Sequence, residues 1–220
     1  MSKVITGKVR FSYVALLNPR NDLNGNSKYS VTALLPKSDI QTKQSIDAAI
    51  AQAIEEGRNG KWNGVVPPVV PTPIHDGDGV KDSGEPYGDE CRGCWVFTAS
   101  TNADPTKPRP EIVGPDLQPI MSATEVYSGM YGRVSVNFAP YFSAGKRGIG
   151  CYLNNVQKLE DGEPLAGTKA SASEDFGSGQ AAYGQPQYGQ QVQPQYGQPA
   201  QAQIDPITGQ PIVQGGVMGL

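Results

Sequence analysis

The chain has 220 residues with 18 basic and 21 acidic side chains, a formal net charge of −3, 37% hydrophobic residues, 27 glycines and 19 prolines. So low an apolar fraction argues against a chain that is globular throughout, and the near-neutral balance excludes a strongly basic one. No apolar run reaches signal-peptide or membrane-spanning length, and three cysteines, an odd number, argue against a secreted disulfide framework, so a soluble protein of a reducing cytoplasm is expected.

A first strand is expected over residues 3–17, where Val9 and Phe11 alternate with Lys8, Arg10 and Ser12. Asn18-Pro19 and the run from Asn21 to Gly25 mark a turn. A second strand follows over 28–35, with Tyr29, Val31, Ala33 and Leu35 on one face and Lys28, Ser30 and Thr32 on the other. The two read as an antiparallel hairpin.

One helix comes next. Ser38 and Gln41 are spaced as a capping box, Ile46, Ala49, Ile50, Ala53 and Ile54 form an apolar stripe, and Gly57 is a natural stop. Residues 58–90 are irregular and rich in proline, glycine and aspartate, a length that in a compact domain marks function or mobility. Residues 94–101 return to strand, with Trp95, Phe97 and Ala99 opposite Val96, Thr98 and Ser100; Trp95 is assigned to the core. A short strand is expected near residues 111–113.

The block from Glu125 to Lys158 organises the body. Val134, Val136 and Phe138 point one way, and Tyr131, Arg133, Ser135 and Asn137 the other, as a half-buried strand requires. A basic glycine loop (Gly145, Lys146, Arg147, Gly148) and another strand, Ile149 to Val156, follow. Short strands bounded by turns, with one helix, indicate a small barrel or sandwich.

Composition changes near Asp161. Residues 161–220 carry one lysine and five acids, whereas residues 1–160 balance at +1. Imperfect repeats at Tyr183, Tyr188 and Tyr196, set in polar low-complexity sequence, lack the apolar surface that offsets chain entropy. A folded domain over 1–160 and a disordered acidic tail over 161–220 are expected.

Motifs of catalysis are missing. No phosphate-binding loop, dinucleotide fingerprint or G-x-S-x-G elbow occurs. Cys91-Arg-Gly-Cys94 has only Cys151 and His75 to complete a metal set, and reads as two ordinary thiols at a strand start. From Asp76 the calcium-loop pattern fails, because Val80 and Lys81 stand where a ligand and a glycine are needed. The densest group of acids in the body, six of 16, lies in the 76–90 loop and not on rigid elements, so a metal-dependent nuclease is disfavoured. No cofactor and no enzymatic activity are expected.

What remains is aromatic and basic: Arg10, Lys28, Trp62, Trp95, Tyr127, Tyr131, Arg133, Tyr141, Phe142, Lys146, Arg147 and Tyr152. Cations that follow phosphates and rings that stack on unpaired bases hold single-stranded nucleic acid without regard to sequence.

The runs R-F-S-Y-V-x-L-x-N-P (Arg10 to Pro19), K-Y-S-V-T-A-L-L-P-K (Lys28 to Lys37), Y-S-G-M-Y-G-R-V-S-V-N-F-A-P-Y (Tyr127 to Tyr141) and G-K-R-G-I-G-C-Y-L-N-N-V-Q (Gly145 to Gln157) resemble a bacteriophage single-stranded DNA-binding protein family. The resemblance spans the body. It implies an oligonucleotide/oligosaccharide-binding (OB) barrel with one inserted helix and long loops, and sequence-independent binding of single strands in phage replication, recombination and repair, in the cytoplasm of the infected host. In this reading Arg133, Lys146 and Arg147 neutralise phosphates and Tyr131 and Tyr141 stack. Lys8, Arg10 and Lys28 extend the groove, and Tyr127 and Tyr152 complete the set. The family's acidic tail implies contact with replication enzymes such as polymerase or helicase-primase, but this chain's last seven residues hold no acid. Contact through the tyrosine repeats, or self-association, fits this tail equally well. The rival class is a phage structural or assembly protein that binds no nucleic acid.

Overall fold

The computed structural model describes residues 2–22 and 25–165. Among them lie eight strands and one α-helix: β1 (Ser2–Ile5), β2 (Val9–Asn21), β3 (Ser27–Pro36), α1 (Ile40–Asn59), β4 (Ile74–Asp76), β5 (Cys94–Asn102), β6 (Ile112–Val113), β7 (Tyr131–Ser143) and β8 (Lys146–Glu160). The expectation of a disordered tail falls on residues 161–220; of these, 161–165 are ordered against the body through bonds to Arg10, Tyr127 and Ser128, and 166–220 lie outside the described residues.

The expected first strand is split. Ile5 pairs with Ser135 of β7, and Val9 with Gly132, so four steps forward match three steps back. The slip falls at Gly7, whose N–H donates to Thr42 Oγ1 at 2.9 Å. A Cβ on Gly7 would collide with the Asp39 carboxylate, so only glycine passes the helix start. Asp39 is also the true cap: its Oδ1 accepts the Thr42 N–H at 3.0 Å and its Oδ2 the Thr42 hydroxyl at 2.7 Å. The Ser38 capping box is thus displaced by one residue, because the carboxylate serves the N-terminus and the neighbouring chain together.

Helix α1 buries Ile46, Ala49, Ile50 and Ala53 on the core. It runs through Gly57 to Asn59, so Gly57 is not its stop. A Cβ on Gly57 would lie 2.7 Å from the indole of Trp62, which is fully buried there. The expected basic loop is also smaller than its glycines suggest. Ala144 (φ 46°) and Gly145 (φ 77°) form a two-residue turn with both residues left-handed, the geometry that suits the twist of a tight hairpin. Lys146 and Arg147 therefore belong to β8, opposite Ser143 and Phe142.

The sheet closes on itself in the order β2-β3-β5-β8-β7-β2. Every junction is antiparallel except β5–β8, which is parallel and rests on one pair, Ser100 with Tyr152. Away from that pair β4 lies on β5, while the Ile149 N–H donates to the Pro71 carbonyl at 2.9 Å. This five-strand ring has the connectivity of an OB barrel, with α1 inserted after its second strand. Inside it pack Val9, Phe11, Val31, Ala33, Phe97, Val134, Val136 and Phe138. Trp95, assigned to the core from sequence, is only half-buried: the ammoniums of Lys37 and Lys43 lie 5.0 and 4.6 Å from its ring. A second apolar cluster, Leu34, Cys91 and Val96, sits on the outer face under Tyr87, Cys94 and Leu165.

Candidate nucleic-acid interface

The residues singled out from sequence fall into three places. The first is the start of β7. The Tyr131 ring has the Lys8 ammonium at 4.8 Å and the Arg10 guanidinium at 5.7 Å. Lys8 is also ion-paired with Glu160. Arg10 donates to the carbonyl oxygens of Glu163 (2.7 Å) and Gly129 (3.4 Å). The Tyr127 hydroxyl lies 2.9 Å from the Asp161 carboxylate and accepts the Gly162 N–H at 3.2 Å. Lys158, buried over the Tyr127 ring, pairs with Asp161 at 2.7 Å. Hydrogen bonds from Lys158 and then Tyr127 hold the Asp161 carboxyl below its ordinary range. The Leu165 N–H donates to the Ser128 carbonyl. Here the predicted rings and cations satisfy one another and build a seat for residues 160–165.

The second place is the β7–β8 hairpin. Tyr141 lies across Gly148, where a Cβ would meet its ring 2.8 Å away. Phe142 is 51% exposed and carries the Arg147 guanidinium 4.7 Å from its centroid. Arg147 Nε is buried with no acceptor. Lys146 is exposed.

The third place is the outer face of the ring. Tyr152, 40% exposed, lies over Gly150 beside Ser100. Lys28 pairs with Asp22 at 2.8 Å. Arg133 Nε donates to the Thr6 carbonyl at 3.1 Å, and the side chain is exposed on β7. Of the wider candidate set, Trp62 offers no surface to a base. Arg20, Arg133, Lys146 and Arg147 are among the described cations that pair with no carboxylate.

The OB fold binds oligomers on the face of its second and third barrel strands, between the loops joining strands one to two and four to five. Here those are β3 and β5, the turn at 22–26 and the turn at 144–145. This face holds a cleft of about 680 Å³ that sequence reading missed. Its floor is Leu34 and Val96 with Thr32 and Thr98, whose hydroxyls are 2.8 Å apart. Tyr13 stands on one side and Tyr87 on the other, with His75 of β4 between the strands and the loop.

The loop wall is fixed by charge. Lys37 binds Asp76 at 2.5 Å and Asp78 at 2.7 Å, and Asp78 also accepts the Gly93 N–H. The Lys37 hydrogen bond holds both carboxyls below their ordinary range, and theirs raise Lys37. Burial pushes the thiols of Cys91 and Cys94 up, and that of Cys151 to about 12. Among the described residues no three metal-ligating side chains converge.

Tyr13 escapes a sequence reading because of a bulge. Ser12 pairs with Thr32 and Ala15 with Ser30, so β2 holds one residue too many. Strict alternation would send Tyr13 inward beside Phe11. Instead its φ is 47° and its ring is 68% exposed. That backbone costs a tyrosine on the order of 1–2 kcal/mol. No period-two pattern reveals such a residue.

Solved structures of single-stranded DNA-binding proteins resemble this chain. A structure of the single-stranded DNA-binding protein from bacteriophage Enc34 in complex with ssDNA is 28% identical, with a TM-score of 0.61 over 74% of this chain and 89% of that one. The same phage protein in another structure is 25% identical, with a TM-score of 0.59 over 79% of this chain and 89% of that one. Gp2.5, a single-stranded DNA-binding protein of bacteriophage T7, shares the fold at 15% identity, with a TM-score of 0.53 over 83% of this chain and 97% of that one. No curated protein matches the chain. The family described as "Enterobacter phage Enc34, ssDNA-binding protein" matches residues 2–185, and the chain belongs to that family.

Proposed function

We propose that this protein is a non-catalytic, sequence-independent binder of single-stranded DNA that serves phage DNA replication. The observation that carries the reading is the likeness to a family member held in a complex with ssDNA. The geometry supports it. Exposed rings (Tyr13, Tyr152, Phe142) and cations without carboxylate partners (Arg133, Lys146, Arg147) are distributed over the outside of the barrel and its β7–β8 hairpin. Rings of this kind stack on any base, and such cations follow any phosphate.

The reading extends to setting and partners. The protein works in the host cytoplasm, and residues 166–220, with their tyrosine repeats, meet replication enzymes or further copies of the chain. Those two points rest on sequence alone. The test is a fluorescence titration with oligo-dT and with duplex DNA at two salt concentrations. Tight, salt-dependent binding of oligo-dT is expected. No binding at low salt would overturn the reading and favour an assembly role.

A further inference from the structure

The cleft on β3 and β5 is built for a base and not for a phosphate. Its floor is apolar at Leu34 and Val96 and bears one hydroxyl pair, Thr32 with Thr98. Its loop wall brings Asp82 and Glu90 alongside Lys81, and the Lys81 ammonium lies over the Tyr87 ring at 5.8 Å. Two acids against one lysine repel a phosphate group, whereas an uncharged ring meets no such barrier.

The side facing that wall is Tyr13. The bulge turns its ring out of the barrel and holds it in a left-handed backbone conformation that a tyrosine rarely adopts. Neighbouring groups hold the bulge in place: the Val14 N–H donates to Ser128 Oγ at 3.1 Å, and the Gly129 N–H to the Phe11 carbonyl at 2.8 Å. An unfavourable backbone that carries an exposed aromatic ring into a cleft is a functional placement, because a glycine there would relieve the strain.

We propose that Tyr13 is the stacking platform of this cleft: one unpaired base lies on its ring above the Leu34–Val96 floor, with the sugar-phosphate chain on the open side. This rests on the ssDNA reading and adds to it a residue and an orientation. From the cleft, the outward positions of β5 step from Thr98 to Ser100, roughly 6.6 Å apart. Tyr152 stands beside Ser100 on β8 as the next exposed ring.

The test compares the unaltered chain with Tyr13→Gly and Tyr13→Phe, using oligo-dT titrations over a range of salt together with thermal melts. Tyr13→Gly should raise the Tm by about 2–4 °C, since it relieves the backbone. The same variant should weaken oligo-dT binding by about 5- to 150-fold, the equivalent of ~1–3 kcal/mol for one stacked base. Its slope of log affinity against log salt should stay unchanged, because every phosphate keeps its cation. Tyr13→Phe should bind as the unaltered chain does. The platform is overturned if Tyr13→Gly binds normally, if its salt slope falls, or if Tyr13→Phe loses as much as Tyr13→Gly. In each of those cases binding by the unaltered chain leaves the ssDNA reading standing; failure of the unaltered chain to bind overturns both.

Discussion

The indole N–H of Trp62 donates to the backbone carbonyl of Tyr141 at 2.8 Å. This bond ties the segment after α1 to the strand that leads into the β7–β8 hairpin, while the indole face rests on Gly57. Trp62→Phe should keep most of the packing, orphan the carbonyl and cost about 1–2 kcal/mol. Gly57→Ala is the sharper case. Alanine is the better helix former by about 1 kcal/mol, yet its methyl would collide with the indole at an overpacking cost of roughly 1–3 kcal/mol. Urea denaturation should place both variants below the parent; a stabilised Gly57→Ala would contradict the close approach of indole and helix.

Ala144 takes a left-handed conformation that alanine does not favour. Asparagine tolerates it, and Asn-Gly is the preferred pair for a two-residue turn of this type. Ala144→Asn should gain on the order of 0.5–1 kcal/mol. A melt showing no rise, or a fall, would argue against the turn geometry.

Arg133 and Lys146 reach solvent without a carboxylate partner, unlike Lys8 and Lys28. Arg133→Ala with Lys146→Ala should weaken oligo-dT binding and flatten the salt slope by about 0.7 for each phosphate left without its cation. Lys8→Ala should change the slope less, since its ammonium serves Glu160 and Tyr131. Equal slopes for all variants would remove these cations from the binding surface.

Among the described residues four carboxyls, Asp76, Asp78, Asp104 and Asp161, have depressed pKa values in the folded state. A group of that sign adds stability at pH values above its unfolded pKa. The contribution is lost as pH falls from the ordinary 3.8 through the lower folded value. Urea midpoints should therefore drop between about pH 5 and pH 2, and drop less in Lys37→Gln, which lacks the partner of Asp76 and Asp78. An identical acid response in the parent and in Lys37→Gln would count against that cluster.

The seat for residues 161–165 separates two truncations. Ending the chain after Leu165 keeps the partners of Arg10, Tyr127 and Lys158; ending it after Glu160 removes them and leaves Lys158 buried without its carboxylate. The shorter chain should melt at a lower temperature and the longer one should not. If residues 166–220 compete with DNA, the chain ending at Leu165 should also bind oligo-dT more tightly than the full chain. Unchanged affinity would dismiss that competition.

Much of the barrel is legible in the sequence because alternation reports one-sided burial. Val134, Val136 and Phe138 face in and Arg133 faces out, as their spacing requires. Other features depend on groups far apart in the chain. Asp39 outcompetes Ser38 as a cap because Gly7 is brought against it, and Gly57 continues the helix because Trp62 needs its bare backbone. Spacing alone leaves Tyr127 and Tyr131 as open rings; Tyr127 meets Lys158, Asp161 and Gly162 from the far end of the folded body, and Tyr131 meets Lys8 and Arg10 from its beginning. Tyr13 is hidden by the extra residue in β2.

The ring is joined along its parallel edge by one residue pair, Ser100 with Tyr152. A polymer lying across that junction from outside would touch both strands and act as a clasp. Closure of the scaffold and occupancy by the polymer are then linked quantities: any preference of the polymer for the closed form returns to it as tightness of hold. Grip and integrity thus meet at one line of the molecule.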